Sequence, residues 1–366
     1  DEIGAAVCAY WRGRKVVDLW GGRRLPDADA PWLEDTMVLV HSTTKGVAAL
    51  TLALAHSRAL LDYDSPVARY WPEFAQNGKE AITVRQLLAH EAGLAVSDVV
   101  LTVADLRDLD AFARVLARQK PAWEPGKKHG YHAMSIGLYA QEIIRRVDPA
   151  HRTLGRFFHD EIAAPLGLDF YIGLPPAIPE ARLAKMLMFS NTRALKALFA
   201  APFGLIARII WPWSLLRKTF RVLADLNGNE RRSLEVDVPS GNGVGTARAL
   251  ARLYSVFVEG GQELGLRKET LDALSAKPTL DGAKDVVMGT PASFALGLLR
   301  PGPSRAFGSS ERAFGMPGAG GSFAFGDPDA HLGYAYVMNK MDFHIFDDPR
   351  EKPLRDAIHR SIEAQT

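Results

Sequence analysis

Apolar and polar positions alternate with a period of two at both ends of the chain and follow a helical period between them. Ala5-Ala6-Val7-Cys8-Ala9-Tyr10-Trp11 and Lys15-Val16-Val17-Asp18-Leu19-Trp20 flank the turn Arg12-Gly13-Arg14, which predicts a β-hairpin running into Gly21-Gly22. Gly321-Ser322-Phe323-Ala324-Phe325, the turn Gly326-Asp327-Pro328-Asp329 and the segment 332–339 predict a second hairpin, followed by a last helix over about 349–364. The middle reads as mostly helical, at about 42–60, 83–90, 103–119, 134–147, 153–166 and 245–259. Strands from the two ends of a chain usually meet in one antiparallel sheet. The pattern therefore predicts an α+β fold in which 1–60 and 240–366 form an α/β region around that sheet. Residues 61–239 form an inserted, mostly helical region, with a cleft between the two.

The most apolar stretch, 194–221, breaks this regularity. Pro202, Arg208 and Pro212 interrupt it before it reaches the roughly 20 apolar residues of a spanning helix. Three readings are open: ordinary core helices, a hydrophobic lid in which Phe203 and Trp213 line an acyl pocket, or an interfacial membrane contact with arginine and lysine at its edges.

Composition narrows the function classes. With 366 residues, 47% hydrophobic and 23% charged, the chain can bury a large core. Its 44 basic and 42 acidic residues leave a net charge of +2, which gives no reason to expect nucleic-acid binding. The single cysteine, Cys8, cannot pair within the chain, and neither an apolar N-terminal signal nor an Asn-x-Ser/Thr acceptor occurs. These features lead to an expectation of a cytoplasmic protein. No His-Glu-x-x-His pattern occurs, which argues against a zinc site, and neither a metal nor an organic cofactor is expected; His90-Glu91-Ala92-Gly93 reads as a helix end capped by glycine.

Three clusters carry candidate chemistry. In Ser42-Thr43-Thr44-Lys45, the serine and lysine lie three apart at the start of an apolar helix. They therefore share a helix face, and the amine can reach the hydroxyl to activate it. A lysine at the start of a buried helix needs a partner or a function, because desolvation opposes its charge. The plainer alternative makes Ser42 a helix cap and Lys45 a surface residue. The second cluster is Trp123-Glu124-Pro125-Gly126-Lys127-Lys128-His129-Gly130-Tyr131-His132-Ala133, a loop that delivers Tyr131 to a helix start. A phenol near a lysine can act as a general base, and it can equally be a packing residue. The third, Phe314-Gly315-Met316-Pro317-Gly318-Ala319-Gly320-Gly321-Ser322, is a glycine-rich strand entry that can aim a backbone N–H into an oxyanion hole or simply form a bulge. No Gly-x-Ser-x-Gly elbow occurs, which argues against an α/β-hydrolase.

Together these clusters resemble the serine β-lactamase and penicillin-binding-protein superfamily, and most closely its family VIII carboxylesterases. The resemblance also runs through Asp18-Leu19-Trp20-Gly21-Gly22, Pro66-Val67-Ala68-Arg69-Tyr70-Trp71-Pro72-Glu73-Phe74 and Leu87-Leu88-Ala89-His90-Glu91-Ala92-Gly93-Leu94, and is weakest over about 175–240. It implies a β-lactamase-like fold and a serine carboxylesterase in which Ser42 is acylated. Tyr131 and Lys45 would share the proton traffic: Tyr131 as base with Lys45 holding it ionised, or Lys45 itself as base. The N–H groups of Ser42 and Ala319 would form the oxyanion hole, while His132, Met316, Pro317 and Gly318 would border the substrate.

Two departures bear on the substrate. Ala133 stands where such β-lactamases usually carry asparagine, and Met316 stands at the cationic position of Lys-Thr-Gly. A site lacking both partners binds an anionic β-lactam poorly, so small, neutral, short-chain esters are the expected substrates. A D-amino-acid peptidase, an acyltransferase, a weak β-lactamase and a degenerate non-catalytic binding protein are the alternatives. The sequence does not fix an oligomeric state.

Overall fold

The computed structural model describes residues 2–189, 203–302, 306–344 and 346–365; the side chains of Phe203, Leu205 and Ala207 are not described. Seven antiparallel strands form the main sheet, in the order β2-β1-β10-β9-β8-β7-β6. The strands are β1 Gly4–Trp11, β2 Arg14–Gly22, β6 Phe294–Ala295, β7 Leu298–Leu299, β8 Phe314–Pro317, β9 Phe323–Asp327 and β10 Leu332–Met338. Every strand comes from one end of the chain or the other, and β1 pairs with β10 from Ala5 opposite Met338 to Trp11 opposite Leu332. The α+β expectation holds. A small sheet of β3 Val38–Leu39, β5 Val244–Gly245 and β4 Phe170–Tyr171 lies apart from it.

Side-chain size decides what covers each face of the main sheet. On one face a Cβ added at Gly333 would lie 2.4 Å from the Ala251 carbonyl oxygen, and one at Gly326 would lie 2.7 Å from Val258. These glycines let the helix 247–258 press onto the backbone. The opposite face of β9 carries Phe323 and Phe325, which pack edge-on against Phe307 at 5.1 and 5.5 Å. His359 of the C-terminal helix stacks on Phe325.

The α-helices of five residues or more among the described residues, in chain order, are α1 Thr43–Ser57, α2 Val84–Leu88, α3 Leu109–Arg118, α4 Ser135–Val147, α5 Leu154–Phe158, α6 Phe203–Ile210, α7 Leu215–Phe220, α8 Ala247–Val258, α9 Lys268–Ser275 and α10 Lys352–Glu363. Fourteen of the fifteen residues of α1 are buried, and it packs against α4 on one side and β8 on the other. Its N-terminus therefore opens at the junction of sheet and helices. Gly46 makes that approach possible, since a Cβ there would lie 2.0 Å from the Tyr254 hydroxyl on α8.

Several expectations are corrected. The segment 103–119 is not one helix: Asp108 caps α3 through the Ala111 N–H and ends the 3-10 turn before it, because its carboxylate offers the first turn an acceptor. The turn after α2 is closed by His90, not Gly93. His90 takes φ 62°, with His90 N–H donating to the Leu87 oxygen and Glu91 N–H to the Gln86 oxygen, a Schellman closure one residue past the C-cap Ala89. Strands β6 and β7 and helix α9 were not anticipated, since two-residue strands have no period to read.

Candidate active site

Ser42 occupies the N-cap position of α1, yet its side chain makes no cap hydrogen bond. The caps of α2, α3, α5, α7 and α8, by contrast, all accept from a first-turn N–H through Thr83, Asp108, Thr153, Ser214 and Thr246. The Ser42 hydroxyl is occupied elsewhere: Lys45 Nζ lies 3.0 Å from its Oγ and the Tyr131 hydroxyl 2.8 Å from the same atom. This is not the geometry of a capping serine beside a surface lysine. His41, with φ 47°, turns the chain into the helix, a backbone conformation that costs a non-glycine residue some strain.

Lys45 is 3% exposed, and it donates to the Ser240 carbonyl oxygen at 2.6 Å. Burial alone drives its pKa well below the ordinary 10.5. Its nitrogen also lies 5.0 Å from the centre of the Tyr131 ring. Burial pushes the Tyr131 phenol up, and the hydrogen bond to Ser42 only partly opposes this. Both groups are thus held toward their neutral forms. His41 is likewise kept neutral, its pKa lowered to about 4 by burial and then by Lys45.

The loop carrying Tyr131 is fixed from three directions. Asp285, fully buried, accepts the Tyr131 N–H at 2.8 Å and the N–H groups of Val287 and Met288 at 2.8 and 2.7 Å. Thr219 on α7 donates to the Tyr131 oxygen and accepts the Ala133 N–H. Phe294 stacks on the Tyr131 ring with centroids 5.9 Å apart.

Opposite Ser42, Gly318 lies so close to the 40–43 turn that a Cβ would meet the Ser322 Oγ at 2.2 Å and the Val40 oxygen at 2.3 Å. Ser322 locks this contact by donating to the Val40 oxygen at 2.8 Å and meeting Thr43 Oγ1 at 3.1 Å. Gly318 N–H donates back to the Ser322 oxygen at 2.7 Å, which leaves Ala319 on the outer curve of the loop. Ala319 is exposed, and among the described residues neither its N–H nor that of Ser42 has a protein acceptor. Arg350, paired with Asp348 and Glu2, holds the loop by donating to the Gly320 oxygen.

The remaining expected site residues fare differently. His132 is fully buried, its Nε2 accepting the Leu94 N–H while Nδ1 meets the Gly130 oxygen at 2.6 Å. With both ring nitrogens engaged by backbone it offers nothing to a ligand, so it braces the loop. Met316 is 2% exposed, with its Cβ near Gly46; the cationic position of the glycine-rich strand is filled by core packing. Pro317 and Gly318 are buried beside the Ala319 loop. The Phe203 side chain and residues 190–202 lie outside the described residues, and Trp213 is 68% exposed, in contact with Trp211. Sequence reasoning missed Ser240, Asp285 and Thr219, none of which sits in a motif.

Comparison with known proteins agrees with the fold. The Beta-lactamase family model matches residues 1–357. The esterase/beta-lactamase LipL of Mycobacterium tuberculosis is 33% identical over 342 residues, covering 92% of this chain and 77% of that protein. A family VIII carboxylesterase crystal structure superposes with a TM-score of 0.86 at 35% identity, over 98% of this chain and 92% of that one. A penicillin-binding-protein homologue from Caulobacter crescentus does so with a TM-score of 0.83 at 35% identity, over 98% and 93%.

Proposed function

The chain belongs to the beta-lactamase family, and on that premise we propose that this serine hydrolase is a carboxylesterase that turns over small, neutral esters through an acyl-enzyme at Ser42. The observation that carries the reading is the convergence of Lys45 Nζ and the Tyr131 hydroxyl on one oxygen, at 3.0 and 2.8 Å.

Burial favours a neutral amine and a neutral phenol, and that pairing has a definite use. A neutral Lys45 can give one N–H to the Ser240 oxygen and turn its lone pair to Ser42. As Ser42 Oγ bonds to the ester carbonyl carbon, its proton passes to Lys45. The carbonyl oxygen, now an oxyanion, is received by the N–H groups of Ser42 and Ala319 and by the N-terminal end of α1. Collapse breaks the bond to the alkoxide, which leaves as the alcohol with a proton from the Tyr131–Lys45 pair. A water then repeats the sequence on the acyl carbon, restoring the Ser42 hydroxyl and releasing the acid. Because the two groups share Ser42, the proton traffic belongs to the pair.

Neutral esters are favoured because Ala133 and Met316, at 1% and 2% exposure, offer no polar side chain to an anionic substrate. Labelling with a fluorophosphonate, read by peptide mass spectrometry, tests the mechanism together with a chain-length series of p-nitrophenyl esters. Covalent adduct on Ser42 with fastest turnover of short chains is expected. Ester turnover by protein that never labels at Ser42 would overturn it, and folded protein that neither labels nor turns over would be a binding protein.

A further inference from the structure

Five of the fifteen large apolar side chains exposed among the described residues fall within 209–220: Ile209, Ile210, Trp211, Trp213 and Phe220. They belong to α6, α7 and the turn between them. The inner side of this pair is anchored, not loose. Arg208 donates to the Val286 and Val287 oxygens, Leu216 and Thr219 are buried, and Thr219 holds the Tyr131 loop. Among the described side chains the pair buries Leu216 and Thr219 but turns Ile209, Ile210, Trp211, Trp213 and Phe220 outward; 194–202 lies outside the described residues. Trp211 and Trp213 meet edge to face at 5.6 Å, at exposures of 61% and 68%.

Within α6, α7 and the residues that follow to 224 the charge has one sign, the nearest carboxylates in sequence being Asp225 and, in the neighbouring loop, Asp98. Residues 203–224 contain Arg208, Arg217, Lys218 and Arg221 and no acidic residue, in a chain otherwise close to neutrality. Lys218 and Arg221 are exposed, and neither has a carboxylate partner among the described residues. The loop holding the exposed Val99 and Val100 is strapped alongside, through Leu101 N–H to the Val222 oxygen. No helix among the described residues is long and apolar enough to cross a membrane. Tryptophan and isoleucine at the tip with unpaired cations on the flank is the composition of an element lying in a lipid–water interface.

We propose that α6 and α7 dock this protein onto an anionic phospholipid surface, with Ile210, Trp211 and Trp213 entering the headgroup boundary and Lys218 and Arg221 facing lipid phosphates. The docked face is the back of the helix whose Thr219 holds the Tyr131 loop. The proposal concerns the surface alone and stands whatever Ser42 acylates.

The test is sedimentation of the purified chain with vesicles of phosphatidylcholine alone and of phosphatidylcholine with phosphatidylglycerol, at low and high salt. Binding to the anionic vesicles, at least 10-fold stronger than to neutral ones and weakened by salt, is expected. Lys218→Glu with Arg221→Glu should weaken it about 10-fold or more, and Ile210→Ser with Trp211→Ser should do so independently. Both variants should keep turnover of a soluble short ester within about 2-fold. Absence of binding at low salt overturns the proposal, as does equal binding to both vesicle types. Conversion of a dimer to a monomer by Ile210→Ser with Trp211→Ser, read by sedimentation velocity, would assign the face to a second copy instead.

Discussion

At the start of α1 a lysine is sealed from solvent with its nitrogen between the Ser42 hydroxyl and the Ser240 carbonyl, while in the turn between α6 and α7 two tryptophans stand 61% and 68% exposed. Each region inverts the usual sorting of side chains, one by burying an amine and the other by exposing aromatic surface. The consequences differ in kind. Burial at Lys45 changes protonation and so bears on reactivity; exposure at Trp211 and Trp213 changes only what the surface can bind. Thr219 joins the two, buried on α7 and hydrogen-bonded to both sides of the Tyr131 loop.

The sharpest division between these regions is Ser42→Ala, which should cut ester turnover by on the order of 10⁴-fold or more while the melting temperature moves by a few degrees at most. Appreciable turnover by the pure variant would place the chemistry elsewhere. Lys45→Ala and Tyr131→Phe should each lose about 10³-fold or more, and the double variant little beyond either, because groups sharing one proton transfer do not multiply. The pH profile belongs with this pair. An ammonium cannot accept the Ser42 proton, so kcat/KM should rise with pH as Lys45 deprotonates. Burial lowers that pKa, so the plateau should arrive well below 10.5. A rise centred near 10.5 would show that the amine is solvated during turnover.

Gly318→Ala tests the opposite wall. Its new Cβ meets the Val40 oxygen at 2.3 Å, so the loop must shift and carry the Ala319 N–H away; turnover should fall about 10²–10³-fold, the usual cost of one oxyanion donor. A cephalosporin should be hydrolysed with kcat/KM roughly 10²-fold or more below the best p-nitrophenyl ester, two missing polar partners being worth about 1–3 kcal/mol each. Comparable values would show that Ala133 and Met316 do not decide substrate class. The smallest effect falls on the bridge. Thr219→Val removes both bonds to the Tyr131 loop and should lower kcat about 10-fold with KM little changed, as expected of a positioning residue; an unchanged kcat would uncouple the two regions.

Much of this molecule follows from the chain read locally. The two terminal hairpins and the buried helix after Ser42 depend on period, turn chemistry and neighbours a few residues away. Ser42 and Lys45 meet for the same reason: residues three apart on a helix share a face. Other features had no local signal. Tyr131 reaches Ser42 across 89 positions, Asp285 reaches Tyr131 across 154 and Ser240 reaches Lys45 across 195. The partner in each of the last two pairs is a lone carboxylate or a backbone carbonyl that looks like any other in sequence. His132 reads as a candidate ligand until its two nitrogens are seen to be taken by the Leu94 and Gly130 backbone. The apolar run through Trp213 reads equally well as core or surface, because periodicity records that a face is apolar and not what lies against it. Contacts within a turn or two are written into the order of residues, whereas burial, pKa and exposure depend on distant elements that only folding brings together.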